Sequence, residues 1–244
     1  MQFNDTSGKN GLIQECEFNL GLGDAGISGD ATLLKVFTRL INTTYQEIIT
    51  MILASLDGWE YDDSNLSASG FIKTFDLTAN QQYFAMAAAD KVLKVRRVEV
   101  NYGDGVWRVA TPISIDQIGT PAGTQTDVSL SFSKTEPAYS QVGLQVFLYP
   151  YPDTNVTGGA KVWTTREVDE FTTADTTQEP GIDEPFHRLI SIGASRKYAG
   201  AKGMDVIKFL NDEWVAGEAR LKQYYGAKQQ DRHAALQPAY EDFN

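Results

Sequence analysis

From Asp30 to Leu56 the chain runs without a single Gly or Pro, and its apolar residues return at helical spacing. Leu34, Phe37, Ile41, Tyr45, Ile48, Ile52 and Leu56 form one row, and Leu33, Leu40, Ile49 and Leu53 widen it. Asp30 is placed to cap the first turn, because its carboxylate can accept the free backbone N–H groups there. Gly58 is placed to end the helix, since glycine tolerates positive φ. At 1.5 Å per residue the predicted helix is about 40 Å long. Such an apolar face must be covered. The sequence offers that cover only near its other end, between about Glu184 and Gly226, so what lies between reads as an insertion into a helical platform.

Residues 1–29 are polar and rich in Gly, Asn and Asp, with only Leu12-Ile13 and Phe18-Asn19-Leu20 as anchors. They read as an extended N-terminal arm, with Cys16 as an incidental thiol in it. After Gly58 the character changes to strands. Phe71 to Leu77 alternates, with Phe71, Lys73, Phe75 and Leu77 on one side. Ala85 to Ala89 reads as a short helical turn. Val92 to Val100 is a β-branched run, Tyr102-Gly103-Asp104-Gly105 a tight turn, and Val106 to Val109 the return strand of a hairpin. Gly119 to Thr126 is a loop. Val128 to Phe132, Gly143 to Tyr149 and Gly158 to Val168 complete the strand set. Short strands with frequent turn signals predict an antiparallel sandwich or barrel-like module, and no strand–helix–strand rhythm appears.

Residues 169–182 are acidic, Thr-rich and unpatterned, and read as a linker. Two helices follow. The first opens at Asp183-Glu184-Pro185 and is ended by Gly200 and Gly203. The second is capped by Asp205, carries Ile207, Leu210, Trp214, Gly217, Leu221 and Tyr225, and is expected to stop at Gly226. Gly193 and Gly217 are read as points of close backbone approach. The predicted fold class is therefore α+β: a helical platform of residues 30–58 and 183–226, an inserted β module with its linker over 59–182, the arm over 1–29, and a C-terminal tail over 227–244. In the tail, Leu236, Pro238, Tyr240 and Phe243 stand out from a polar background and are expected to bury themselves in a partner.

No convergent chemistry appears. One Cys and two His leave no metal-ligand spacing. Gly21-Leu22-Gly23-Asp24-Ala25-Gly26 matches a dinucleotide fingerprint by letter but follows no predicted strand. No Gly-x-Ser-x-Gly elbow occurs. Asp62-Asp63 and Asp169-Glu170 read as solvated loop acids rather than a glycosidase pair. Neither catalysis nor a cofactor is expected. The net charge of −11 argues against gripping nucleic acid by its phosphates. Residues 57–183 carry 18 acidic and 9 basic side chains, whereas 184–226 carry 5 and 7. That asymmetry suits either plain solubility or complementary surfaces between neighbouring copies. No apolar run is long enough to span a membrane, and the first residues have no signal-peptide pattern.

Three pieces in order carry a resemblance. The long helix ends near Leu56-Asp57-Gly58-Trp59. The strand Gly143-Leu144-Gln145-Val146-Phe147-Leu148-Tyr149 runs into Pro150-Tyr151-Pro152-Asp153. After Val162-Trp163-Thr164-Thr165-Arg166, the acidic segment leads into Glu179-Pro180-Gly181-Ile182-Asp183-Glu184-Pro185-Phe186-His187-Arg188-Leu189-Ile190. Over roughly residues 30–226 the chain resembles the head-to-tail connector (adaptor, or tail tubular A-like) proteins of tailed bacteriophages. The resemblance implies a structural virion protein made in the host cytoplasm. It would be a homo-oligomeric ring, of twelve copies in that family, docked under the portal protein and followed by tail or nozzle proteins. DNA would pass through without specific binding, and no membrane would be involved. Leu236, Pro238, Tyr240 and Phe243 would then meet the portal. The competing reading is a carbohydrate- or receptor-binding β module of a tail fibre or cell-surface protein, with Trp59, Trp107 and Trp163 as a stacking platform.

Overall fold

The computed structural model describes residues 1–55, 72–114 and 132–232, with side chains of the last helix described as far as Lys228. The chain divides into two compact units. One comprises Met1–Leu66 with Val168–Asn244, and the other Ser67–Glu167. The class is α+β, with a barrel-like sheet in the second unit. The expected stop at Gly58, the turn with Asp62 and Asp63, Trp59, the strand starting at Val128 and the tail residues Leu236, Pro238, Tyr240 and Phe243 lie outside the described residues.

The helical unit holds α1 (Leu12–Leu20), α2 (Ala31–Ser55), α3 (His187–Lys202) and α4 (Ile207–Arg232). Asp30 caps α2 as its sequence position requires: Oδ1 accepts the N–H groups of Thr32 at 2.7 Å and Leu33 at 3.1 Å. Phe37, Ile41, Tyr45, Ile48 and Ile52 are fully buried, which confirms the predicted stripe. Each such side chain contributes about 1.5–3 kcal/mol by leaving water. Helix α3 is preceded by a 3-10 turn, Glu184–Phe186, with Pro185 in its opening, and ends on Gly203 in the left-handed region. Leu210, Trp214, Leu221 and Tyr225 of α4 face the core. A Cβ on Gly193 would lie 2.4 Å from Thr44 Cγ2 and 2.5 Å from the Trp214 ring, so this glycine sets the close approach of three helices.

Three expectations for the helical unit are corrected. Residues 1–29 are no extended arm. Phe3, Leu12, Ile13, Cys16, Leu20 and Ile27 are buried in the helical unit, and α1 packs on α3. The polar residues that suggested solvation turn inward. Glu17 accepts from the N–H groups of Ile27 and Ser28 and from the Ser28 hydroxyl at 2.7–2.9 Å. Gln14 donates to Asn4 Oδ1 at 2.7 Å and accepts from Asp5 N–H at 3.0 Å. Cys16 is thus a core residue, and burial pushes its thiol up to about 12.

Residues 169–182 are no free linker either. Phe171 and Ile182 are buried, and Phe3 stacks on Phe171 at 4.9 Å. The third correction concerns Gly226. Helix α4 runs through it to Arg232, and Lys228 pairs with Asp183 at 2.7 Å. One helical glycine costs about 1 kcal/mol, less than the packing of Tyr225 and the Lys228 pair beside it supply.

The sheet unit holds β1 (Ile72–Leu77), β2 (Tyr83–Ala85), β3 (Val92–Val100), β4 (Arg108–Pro112), β5 (Ala138–Val142), β6 (Gln145–Tyr149) and β7 (Val156–Arg166). The order across the sheet is β1-β7-β3-β4-β5-β6-β2, antiparallel except where β4 meets β5. The predicted hairpin of β3 and β4 is present. The helical turn expected at Ala85–Ala89 is displaced: its start is the edge strand β2, and a 3-10 turn follows at Ala88–Asp90. Val98, Val100, Val146, Leu148, Ala160 and Val162 form the interior. Phe75 on β1 stacks on Phe84 of β2 at 4.5 Å, so the two edges approach through rings and the sheet is nearly a closed barrel. Lys73 points inward as its alternation demands, and its buried charge is matched by Asp90 at 2.7 Å.

Candidate functional site

Helices α3 and α4 diverge enough to leave an open groove of about 610 Å³. Phe186, Leu189, Ile192, Gly217 and Tyr224 make its apolar lining, and Arg188, Glu213 and Arg220 stand on its rim. A Cβ on Gly217 would come within 2.5 Å of Leu189 Cδ1, the mobile end of that side chain. Tyr224 remains 40% exposed at the mouth, with its ring 5.2 Å from Phe186. Arg188 is paired with Glu15 at 2.7 Å. Arg220 has no carboxylate partner among the described residues, and its Nε donates to the Ala216 carbonyl at 3.3 Å. An apolar floor with a mixed charged rim fits a peptide or helix better than a small polar substrate.

The segment that leads into α3 is held by polar staples. Asn42 on α2 donates to the Phe171 carbonyl and accepts from the Phe171 N–H, both at 2.9 Å. Tyr45 Oη accepts from Gly181 N–H at 2.6 Å, and Tyr225 Oη from Asp183 N–H at 3.2 Å. Burial pushes the Tyr225 phenol far above its ordinary range, so it stays neutral. His187, also buried, donates from Nε2 to the Ile182 carbonyl at 2.8 Å, while the Met1 amino group meets Nδ1 at 2.7 Å. Burial is the main cause that lowers the imidazole's pKa. Together these contacts fix the start of α3, and with it Phe186 and Arg188.

A second hollow, of about 650 Å³, lies beside the end of α1. Lys9 and Asp24 pair across it, and Phe18 is 77% exposed nearby. Its buried carboxylate, Glu17, accepts all three of its hydrogen bonds on Oε1.

Among the described residues no group of His, Cys, Asp and Glu is placed to hold a metal ion. Of the acid pair Asp169-Glu170, Glu170 accepts from the Gln46 amide at 2.8 Å. Of the three tryptophans considered as a platform, two are described. Lys161 Nζ lies 4.0 Å from the centre of the Trp107 ring, and Arg97 lies 5.4 Å from that of Trp163. Each of these two rings thus has a cation set over one face. No described helix is long and apolar enough to cross a membrane.

Sequence reasoning singled out the tail and missed the groove. Gly217 was the available signal, together with Arg188 and Arg220 on the polar sides of two helices predicted to pair. Neither the protein-family models nor the curated proteins give a match to this chain.

Proposed function

We propose that this chain is a ring-forming structural protein of a tailed-phage virion, an adaptor that joins the portal to the tail and lets DNA pass. The observation that carries the reading is the double face of α4. Its core row is satisfied within the unit, yet apolar surface is left on two other sides. One is the groove beside Gly217. The other is Val215, 64% exposed, which stands two residues earlier and so about 200° around the helix. A ring built head to tail needs two different faces on every subunit, whereas a twofold dimer needs only one. The resemblance in the helix–strand–helix order supports the same reading. The net charge of −11 suits a lumen that repels phosphate. Leu236, Pro238, Tyr240 and Phe243 remain the proposed portal contacts.

The test is the mass and shape of the purified chain, alone and mixed with portal rings, by native mass spectrometry and negative-stain imaging. Closed rings, or portal particles gaining a new layer, are expected. Truncation after Arg232 leaves α4 whole and should keep the monomer's melting temperature while abolishing the added layer. A monomer at all concentrations that ignores portal rings overturns the reading.

A further inference from the structure

We propose that the hollow beside α1 binds a primary alkylammonium group, the head of a lysine side chain or of a free aliphatic amine. The site lies within the helical unit and uses neither of the α4 surfaces invoked for ring assembly. Glu17 is only 5% exposed, yet it lines this hollow. Its Oε1 accepts from the N–H groups of Ile27 and Ser28 and from the Ser28 hydroxyl. Its Oε2 accepts no hydrogen bond from a described residue. Nor is Oε2 sealed inside the protein, as the unpartnered amide nitrogen of Asn19 is, so its free side opens on the hollow. Holding Ile27 and Ser28 needs one acceptor oxygen, which a glutamine would also supply. The second oxygen and the negative charge are surplus to that task, and a buried charge is costly unless it is matched.

The sign of the missing partner follows from the lining. Glu17 and Asp24 are its acidic residues, and Lys9 is its one basic residue. Lys9 pairs with Asp24 at the exposed mouth, which leaves the Glu17 charge unmatched. Glu17 also stands in the last turn of α1, where no basic residue occurs, so the negative end of the helix acts in the same direction.

A volume of about 650 Å³ has room for a stem of several carbons and is far larger than a bare ion requires. Phe18, largely exposed, supplies an aromatic wall that suits methylenes and ammonium alike. One open carboxylate oxygen matches a compact ammonium, whereas the planar guanidinium fork asks for two. Thr6 and Ser28 carry hydroxyls on the same lining, available to the ammonium's other N–H groups.

The experiment is a calorimetric titration of the full chain with N-acetyl-lysine methylamide and, separately, with cadaverine. Salt at physiological strength screens the net charge of −11. Saturable binding is expected, with hydrogen exchange slowed over residues 21–28. Tighter binding of the lysine derivative points to a partner's side chain and tighter binding of cadaverine to a free amine, and either supports the proposal. Glu17→Gln keeps the acceptor oxygen, removes the charge and should weaken binding about ten- to a hundredfold. Phe18→Ser, on the surface, should weaken it about two- to fivefold. Binding indifferent to these substitutions, exchange unchanged over residues 21–28, or equal affinity for the norleucine or arginine analogue overturns the proposal. If circular dichroism shows that Glu17→Gln does not fold, Phe18→Ser and the two analogues decide.

Discussion

The two units solve the same packing problem differently. The sheet unit is one continuous run of chain, and around its aliphatic and aromatic core it buries Lys73, Ser140, Thr164, Thr165 and Arg166 on its strands. The helical unit is assembled from two runs separated by about a hundred residues, and its interior is laced with Asn4, Gln14, Glu17, Asn42, Thr44, His187, Ser191 and Ser195. An apolar interior tolerates sliding as long as volume is kept. A hydrogen-bonded one admits a single register, because every misaligned donor or acceptor is stranded at a cost of about 1–3 kcal/mol. In the sheet unit the backbone ladder sets the register, whereas in the helical unit side chains such as Asn42 and Ser191 tie the two runs of chain together.

The strongest way to break this comparison is Trp214→Ala. It empties a site packed against Gly193 and Arg196 and should cost the helical unit about 3–5 kcal/mol. Hydrogen exchange at β3 and β7 should stay at wild-type rates. Equal acceleration in both units would show that they unfold as one, and the contrast would fall. Next is Asn42→Ala, which strands both backbone groups of Phe171 and should cost about 2–4 kcal/mol. A change of melting temperature under two degrees would mean that the staple does not align the return segment.

The glycine pair sharpens the argument by sign. Gly193→Ala meets a rigid indole and a β-branched residue, so overpacking of about 1–3 kcal/mol should outweigh the helix propensity gained. Gly217→Ala meets only the mobile end of Leu189 and should fall within about 0.5 kcal/mol of wild type, since the propensity gain opposes the clash. Chemical denaturation of both variants checks the order. The smallest effect expected is one of pH. Burial lowers the His187 pKa in the folded protein, so the unfolded chain binds its proton more readily. The stabilisation is therefore complete above the unfolded value of 6.5 and is lost as pH falls from there through the folded value. The slope of stability between pH 7 and pH 5 should flatten in His187→Gln.

What was legible follows the same division. Helix α2, the α3–α4 pair, the β3–β4 hairpin and strands β6 and β7 all announce themselves by period, because one face of each is apolar and the other is not. The start of the chain did not, since Asn4, Gln14 and Glu17 bond inward and composition counts them as solvated. Strand β2 is three residues long, and β5 carries Ser140 and Gln141, so neither shows a period. Ser140 is buried beside the Tyr149 hydroxyl at 3.3 Å, a partner nine residues away that no local window pairs with it. The groove was illegible for a related reason. It is the space two helices fail to fill, and only their crossing reveals it.

The stapled return segment has a mechanical consequence. The chain crosses between the units twice, and the second crossing leaves β7 at Arg166 and enters the helical unit at Val168. A pull arriving by that route meets Asn42 and Tyr45 in the middle of α2 before it reaches any helix end. The segment is tied to the centre of a long helix, where several bonds must give together. A terminus would peel one turn at a time.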